Sequence, residues 1–159
     1  MPNQRISPYY YVLGLLTPFW LLIGVAVTGA LYPGYSHIDQ AMSELGALGA
    51  PTHEISPLIN NYPLGVLFIA FGLAVYATFK QSWPAKASGA LITLHGLASF
   101  ATGYFSCDVA CGLENPSTSQ SLHNLAGLVM FLSLVLASAL WTYLALQLLN
   151  RRGFAFFSL

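Results

Sequence analysis

The sequence predicts an all-α, polytopic membrane protein: a four-helix transmembrane bundle with a short amphipathic helix in its first outer loop. Three observations carry this. Only 6% of the 159 residues are charged and 56% are hydrophobic, whereas a soluble domain has about 25% charged residues. Four long stretches, 11–31, 62–79, 87–105 and 122–149, contain no Asp, Glu, Lys or Arg. The few charges then separate by sign once those stretches alternate across a bilayer. The whole of 1–159 reads as a single transmembrane domain.

Each stretch is close to or above the roughly 20 apolar residues of helix that cross a bilayer core. Inside lipid the backbone must satisfy its own hydrogen bonds, so helices are the expected form. Pro18 and the glycines are compatible with this, since membrane helices tolerate both. The first stretch, with Arg5 before it and Thr28-Gly29-Ala30 at its end, loosely resembles a secretory signal. Its apolar run exceeds the 7–15 residues of a signal core, so it reads as a helix that stays.

The basic residues Arg5, Lys80, Lys86, Arg151 and Arg152 all fall on one side of such a bundle. The acids Asp39, Glu44, Glu54, Asp108 and Glu114 all fall on the other. The positive-inside rule therefore predicts a multi-pass protein of the cell membrane with both termini cytoplasmic. The apolar tail from Phe154 is too short to cross and is expected at the interface. Zero net charge gives no reason to expect nucleic acid as a partner; membrane lipid is the partner that composition implies.

In the first outer loop, Ser36-His-Ile-Asp39 resembles a helix start, with a Ser cap and an acid three residues on. Ile38, Ala41, Met42 and Leu45 would share one face of that helix and His37, Asp39, Gln40, Ser43 and Glu44 the other. Gly46 and Gly49 offer a stop. The second outer loop holds Cys107 and Cys111. Four residues apart and outside the reducing cytoplasm, they favour a local disulfide over a redox pair or a metal site with Asp108 and His123.

His95 lies in mid-membrane, where an ionisable group normally faces the bundle interior. With Ser88, Ser99, Thr102 and Ser106 it forms a stripe about 40° wide on a helix of 3.6 residues per turn. The stripe reads either as a polar path or as interhelical hydrogen bonding. Gly24, Thr28, Gly65 and Gly72 read as close-packing positions.

Ser43, Glu44, Asp108 and His123 come to one depth on one side. Carboxylates at the edge of an apolar bundle are costly to desolvate unless they are paired. Every Lys and Arg lies on the far side, so the expected arrangement is a carboxylate–imidazole cluster of Glu44, Asp108 and His123, with Ser43 beside it. Such a cluster could supply acid–base groups or hold a divalent metal. No cofactor is predicted otherwise: there is no P-loop, dinucleotide fingerprint or HExxH pattern.

Tyr32-Pro-Gly-Tyr-Ser-His37, Ser43-Glu-Leu-Gly-Ala47, Gly49-Ala-Pro51, Cys107-Asp108 with Cys111, and Leu122-His-Asn-Leu-Ala-Gly127 resemble the bacterial membrane proteins grouped as domain of unknown function 998. The likeness runs from about Leu31 to Gly127. It implies a membrane fold usually of six helices, so that this chain would be a short or truncated member, and it implies no activity. Three functions stay open. One is an enzyme acting on a lipid or lipid-linked substrate at the outer face. Another is a transporter or small-molecule binder using the third-helix path, for which homo-oligomerisation is expected because four helices enclose little space. The third is a scaffold without a ligand.

Overall fold

A computed structural model describes residues 9–147 and 150–158. Arg5, and with it the start of the chain, lies outside the described residues, as do the last two positions of the fourth predicted stretch. The described chain is helical, with no strand. α1 spans Tyr9–Ala30, α2 Tyr62–Thr78, α3 Trp83–Tyr104, α4 Thr118–Gln147 and α5 Arg152–Phe157.

Among the described residues, three helical segments are long and apolar enough to cross a membrane: Val12–Ala30, Pro57–Thr78 and Thr118–Gln147, with mean hydropathies of 2.0, 1.7 and 2.1. Their outward faces carry large exposed side chains such as Leu15, Phe19, Leu22 and Ile23 on α1 and Phe131, Leu132 and Leu136 on α4. That is the surface a lipid-facing helix presents. α3 differs. It is the least apolar of the long helices and the most enclosed, packed along its length between α2 and α4. Its buried positions are Gly, Ala, Ser, Thr and His with few larger side chains.

Small residues let the α2 and α3 backbones touch. A Cβ on Gly96 would sit 2.7 Å from the Gly65 carbonyl oxygen, and one on Gly89 would sit 2.7 Å from that of Gly72. This is the small-residue packing by which membrane helices associate. α1 leans on α2, whereas α1 and α4 make no extensive contact. α1 and α4 are thus separated by a cleft, which residues of α2 and α3 floor. α5 packs back on α4, with Phe154 against Trp141 at 6.1 Å between centroids.

The outer loops depart from expectation. The region from Ser36 to Gly46 is two short turns, not one amphipathic helix. Ser36 does cap, accepting from the Asp39 amide at 3.2 Å, but the chain is extended at Ala41 (φ −70°, ψ 147°) and restarts as a 3₁₀ turn, Met42–Gly46. The cause is local. Glu44 accepts the Ala41 amide at 2.9 Å and Gln40 accepts the Ser36 amide at 3.0 Å, so side chains take up bonds a helix would use. Ile38, expected on the apolar face, is 94% exposed.

α2 is preceded by a π-helical turn, Pro57–Asn61, so the helical segment begins before the charge-free stretch 62–79. Pro63 explains it. Lacking an amide hydrogen, Pro63 cannot bond the carbonyl of Ile59 four residues back. The Trp20 indole of α1 donates to that carbonyl instead, at 2.8 Å.

Candidate functional site

A cavity of about 500 Å³ lies between α1 and α4, at the end of the cleft covered by the Met42–Gly46 turn. Leu21 and Val25 of α1 form one wall, and Gly127, Met130 and Phe131 of α4 the other. The floor is Asn60, Asn61 and Leu64 of the π turn and α2, with Ser99 and Thr102 of α3. The 3₁₀ turn roofs it through Met42, Ser43 and Gly46. Among the described residues no Asp, Glu, Lys or Arg lines it.

The roof is held from several sides. Thr52 donates to the Leu45 carbonyl at 2.7 Å and the His53 Nδ1–H to that of Gly46 at 2.9 Å. Cys107 and Cys111 are joined in a disulfide. Cys107 is fully buried; its sulfur lies 3.5 Å from the Ser43 carbonyl and its own carbonyl accepts the Leu48 amide at 2.9 Å. The second outer loop therefore fixes the first above the cavity.

In the floor, Ser99 donates to the Asn61 carbonyl at 2.8 Å, and the Asn61 side-chain amide donates to Thr102 at 3.0 Å. Thr102 in turn donates to the Ser99 carbonyl at 2.9 Å. The Asn60 amide donates to Thr28 at 3.2 Å and approaches Ser56 at 3.4 Å. Its Oδ1 is buried with no hydrogen-bond partner, set against Gly24, where any Cβ would clash with it. His123 turns Nδ1 toward two carbonyls at the end of α3, Phe105 at 2.7 Å and Thr102 at 3.2 Å. Carbonyls only accept, so Nδ1 carries the hydrogen, and it satisfies groups that a helix end leaves open. Nε2 lies on the opposite edge of a ring that lines the cavity.

A family model described as "Protein of unknown function (DUF998)" matches residues 15–159. The chain belongs to the DUF998 family. The match takes in α2 to α5, most of α1 and both outer loops, so every residue of the cavity lies inside the region that defines this DUF998 chain. No curated protein matches it, and no solved structure does.

Of the residues expected at a site, Ser43 and His123 meet at the cavity, together with Ser99 and Thr102 from the α3 stripe. Glu44 and Asp108 do not join them. Glu44 binds the Ala41 amide and the Gln40 side chain, the latter at 2.8 Å. Asp108 accepts the Ser117 amide at 2.8 Å, while its own amide donates to Gln120 at 2.7 Å. Neither carboxylate bonds or pairs with His123. The cluster of Glu44, Asp108 and His123 does not form, because backbone and side-chain amides satisfy the carboxylates that the sequence reading assigned to imidazole. Among the described residues no group of three His, Cys, Asp or Glu could hold a metal ion.

Asp108 instead organises the start of α4. The hydroxyl of Ser117 accepts the Gln120 amide at 3.1 Å, an N-cap, and Asp108 holds the Ser117 amide just before it. The Ser117 amide and hydroxyl keep the Asp108 carboxyl below its ordinary value, against a smaller opposing effect of burial. Tyr35, whose hydroxyl donates to the Ala41 carbonyl at 3.1 Å, is shifted up, first by burial and then by the charge of Glu44.

The α3 stripe faces inward as expected, with Ser88, His95, Ser99 and Thr102 all buried. His95 lies outside the cavity lining; its Nδ1–H donates to the Met130 carbonyl at 2.9 Å and its ring packs 4.1 Å from that of Phe68. Asn60 and Asn61 were missed as site residues. The signal was present in Ser56-Pro57, a cap followed by proline at the first helical position.

Proposed function

We propose that this chain crosses the membrane four times with both termini cytoplasmic, and that its outer cavity binds an amphiphilic molecule taken from the outer leaflet. The observation that carries the binding reading is the cavity itself. It has a polar floor and apolar walls, and it lies between two helices that do not close on each other. Pockets of 300–1,000 Å³ with a few convergent polar groups are the usual form of small-molecule sites. An opening between helices admits a chain-bearing ligand sideways from lipid. α3 is read as the fourth crossing: α2 and α4 shield it from lipid, so it needs less apolarity than they do. The complete separation of basic from acidic residues supports the orientation.

Gly127 provides the test of binding. It lines the cavity, and a Cβ there would meet nothing within 4 Å, so Gly127→Leu is the substitution expected to fill the space, with an unchanged unfolding temperature as the check that the fold is kept. Native mass spectrometry of protein purified with membrane lipid is expected to show one retained lipid on the wild type and none on G127L. Equal retention by both would end the reading. For topology, a membrane-impermeant maleimide is expected to label Asn115→Cys in intact cells, and labelling only after permeabilisation would reverse the orientation.

A further inference from the structure

The hydrogen-bonding state of the cavity says what kind of head group it fits, given that it binds an amphiphile as proposed above. With no charged residue in its lining, an anionic or cationic head would lose its hydration without a counter-charge. Most of the donors around the floor are already engaged. The Asn60 and Asn61 amides, the Ser99 and Thr102 hydroxyls and the His123 Nδ1–H all donate within the protein.

In the floor, acceptors are left unbonded; at the rim, the hydroxyl hydrogens of Ser43 and Ser56 are also without a bonded acceptor among the described residues. The Asn60 Oδ1 has no partner although Asn60 is only 7% exposed, and no protein group bonds the Asn61 Oδ1 or the His123 Nε2 among the described residues. The Asn60 Oδ1 is packed against Gly24 of α1, whereas Asn61 and His123 line the cavity, so a ligand that donates a hydrogen bond there can satisfy their unbonded acceptors. We propose that the site takes an uncharged lipid with a free hydroxyl group, the hydroxyl donating into the acceptors of Asn61 and His123 and the chains leaving past Leu21 and Phe131 into the bilayer. A diacylglycerol and a long-chain alcohol share this chemistry.

The experiment uses the full chain in nanodiscs, with native mass spectrometry or a tritiated lipid as the readout. Four probes are compared: a diacylglycerol, a long-chain prenyl-type alcohol, the triacylglycerol that masks the hydroxyl, and the phosphatidic acid that replaces it with phosphate. Either or both of the first two are expected to bind at least fivefold more tightly than the last two, and their ranking identifies the source. His123→Asn is the paired variant. Its side-chain amide can take the place of Nδ1 at the α3 carbonyls but offers nothing at the Nε2 position. H123N is expected to unfold at the wild-type temperature and to bind the hydroxyl lipid roughly two- to tenfold more weakly, the worth of one neutral hydrogen bond.

If triacylglycerol or phosphatidic acid binds as well as the hydroxyl lipids, the hydroxyl inference is overturned while the lipid-binding reading survives. If none of the four binds and G127L behaves as wild type, both fall. Unchanged affinity in a folded H123N removes His123 from the site and overturns the proposed contact.

Discussion

Substituting Gly72 by Ala should separate α2 from α3 and destabilise the whole bundle. A Cβ at Gly72 would lie 2.6 Å from both the Gly89 carbonyl oxygen and the Thr93 amide nitrogen of α3. Ordinary contact begins at 3.4 Å, so the helices must part by about 0.8 Å in an interior packed as densely as a crystal. Both obstacles are backbone and cannot swing aside. Overpacking of this kind costs about 1–3 kcal/mol, which is roughly a 5- to 150-fold loss in the folding equilibrium. Gly89→Ala meets the mirror obstacle, the Tyr76 amide nitrogen at 2.6 Å, and should cost a similar amount. Because one separation accommodates both methyl groups, the double variant should cost less than the two single losses combined. Gly127→Ala is the control, having open space around its Cβ, and should be neutral or slightly stabilising. Equilibrium unfolding in bicelles, followed by helical circular dichroism, measures all four. Wild-type stability of G72A, or a G127A as damaged as G72A, would show that the close approach of α2 and α3 is not what holds them.

Two further outcomes follow from single contacts. Trp20→Phe keeps the ring and removes the indole donor to the Ile59 carbonyl; leaving that group unbonded should cost about 1–3 kcal/mol, measured in the same assay, and Phe equal to Trp would show that the π turn needs no support from α1. Asp108 has its carboxyl pKa lowered by Ser117 from an ordinary value of 3.8. A depressed pKa contributes stability that is fully present above the unfolded value and is lost as pH falls through the folded one. The stability advantage of wild type over Asp108→Asn should therefore be constant above about pH 5 and shrink below 3.8; an advantage independent of pH would mean that the ionised carboxylate is not the form that holds α4.

Much of the architecture was readable from residue type alone. Charge-free length located all four long helices, and the inward turn of His95, Ser99 and Thr102 followed from the cost of exposing them to lipid. The disulfide was legible because Cys107 and Cys111 had nowhere else to go. The site was harder. Ser43 and His123 line the cavity, but Glu44 and Asp108 bond groups other than His123. For Glu44 and Asp108 the backbone competes with other side chains, and its amides at Ala41 and Ser117 are as good a partner as His123 and nearer in sequence. Asn60 and Asn61 were hidden for a different reason. Only the π turn brings both to the floor of the cavity, and that turn depends on Trp20, 39 residues from the carbonyl it serves.

The enclosure of α3 bears on how such a protein is made. α3 carries Lys86 near its start and His95 at its centre, and it is not among the segments apolar enough to enter a membrane on their own account. In the four-crossing arrangement, its partition from the insertion machinery into lipid depends on company. α2 emerges first, and only a four-residue connection, 79–82, separates it from α3, so the pair can enter as a helical hairpin zipped along Gly65, Gly72, Gly89 and Gly96. The flank of α3 that meets α4, where His95 bonds the Met130 carbonyl, then stays against water, protein or translocon until α4 is synthesised and covers it. Biogenesis of the bundle therefore has an order written into it.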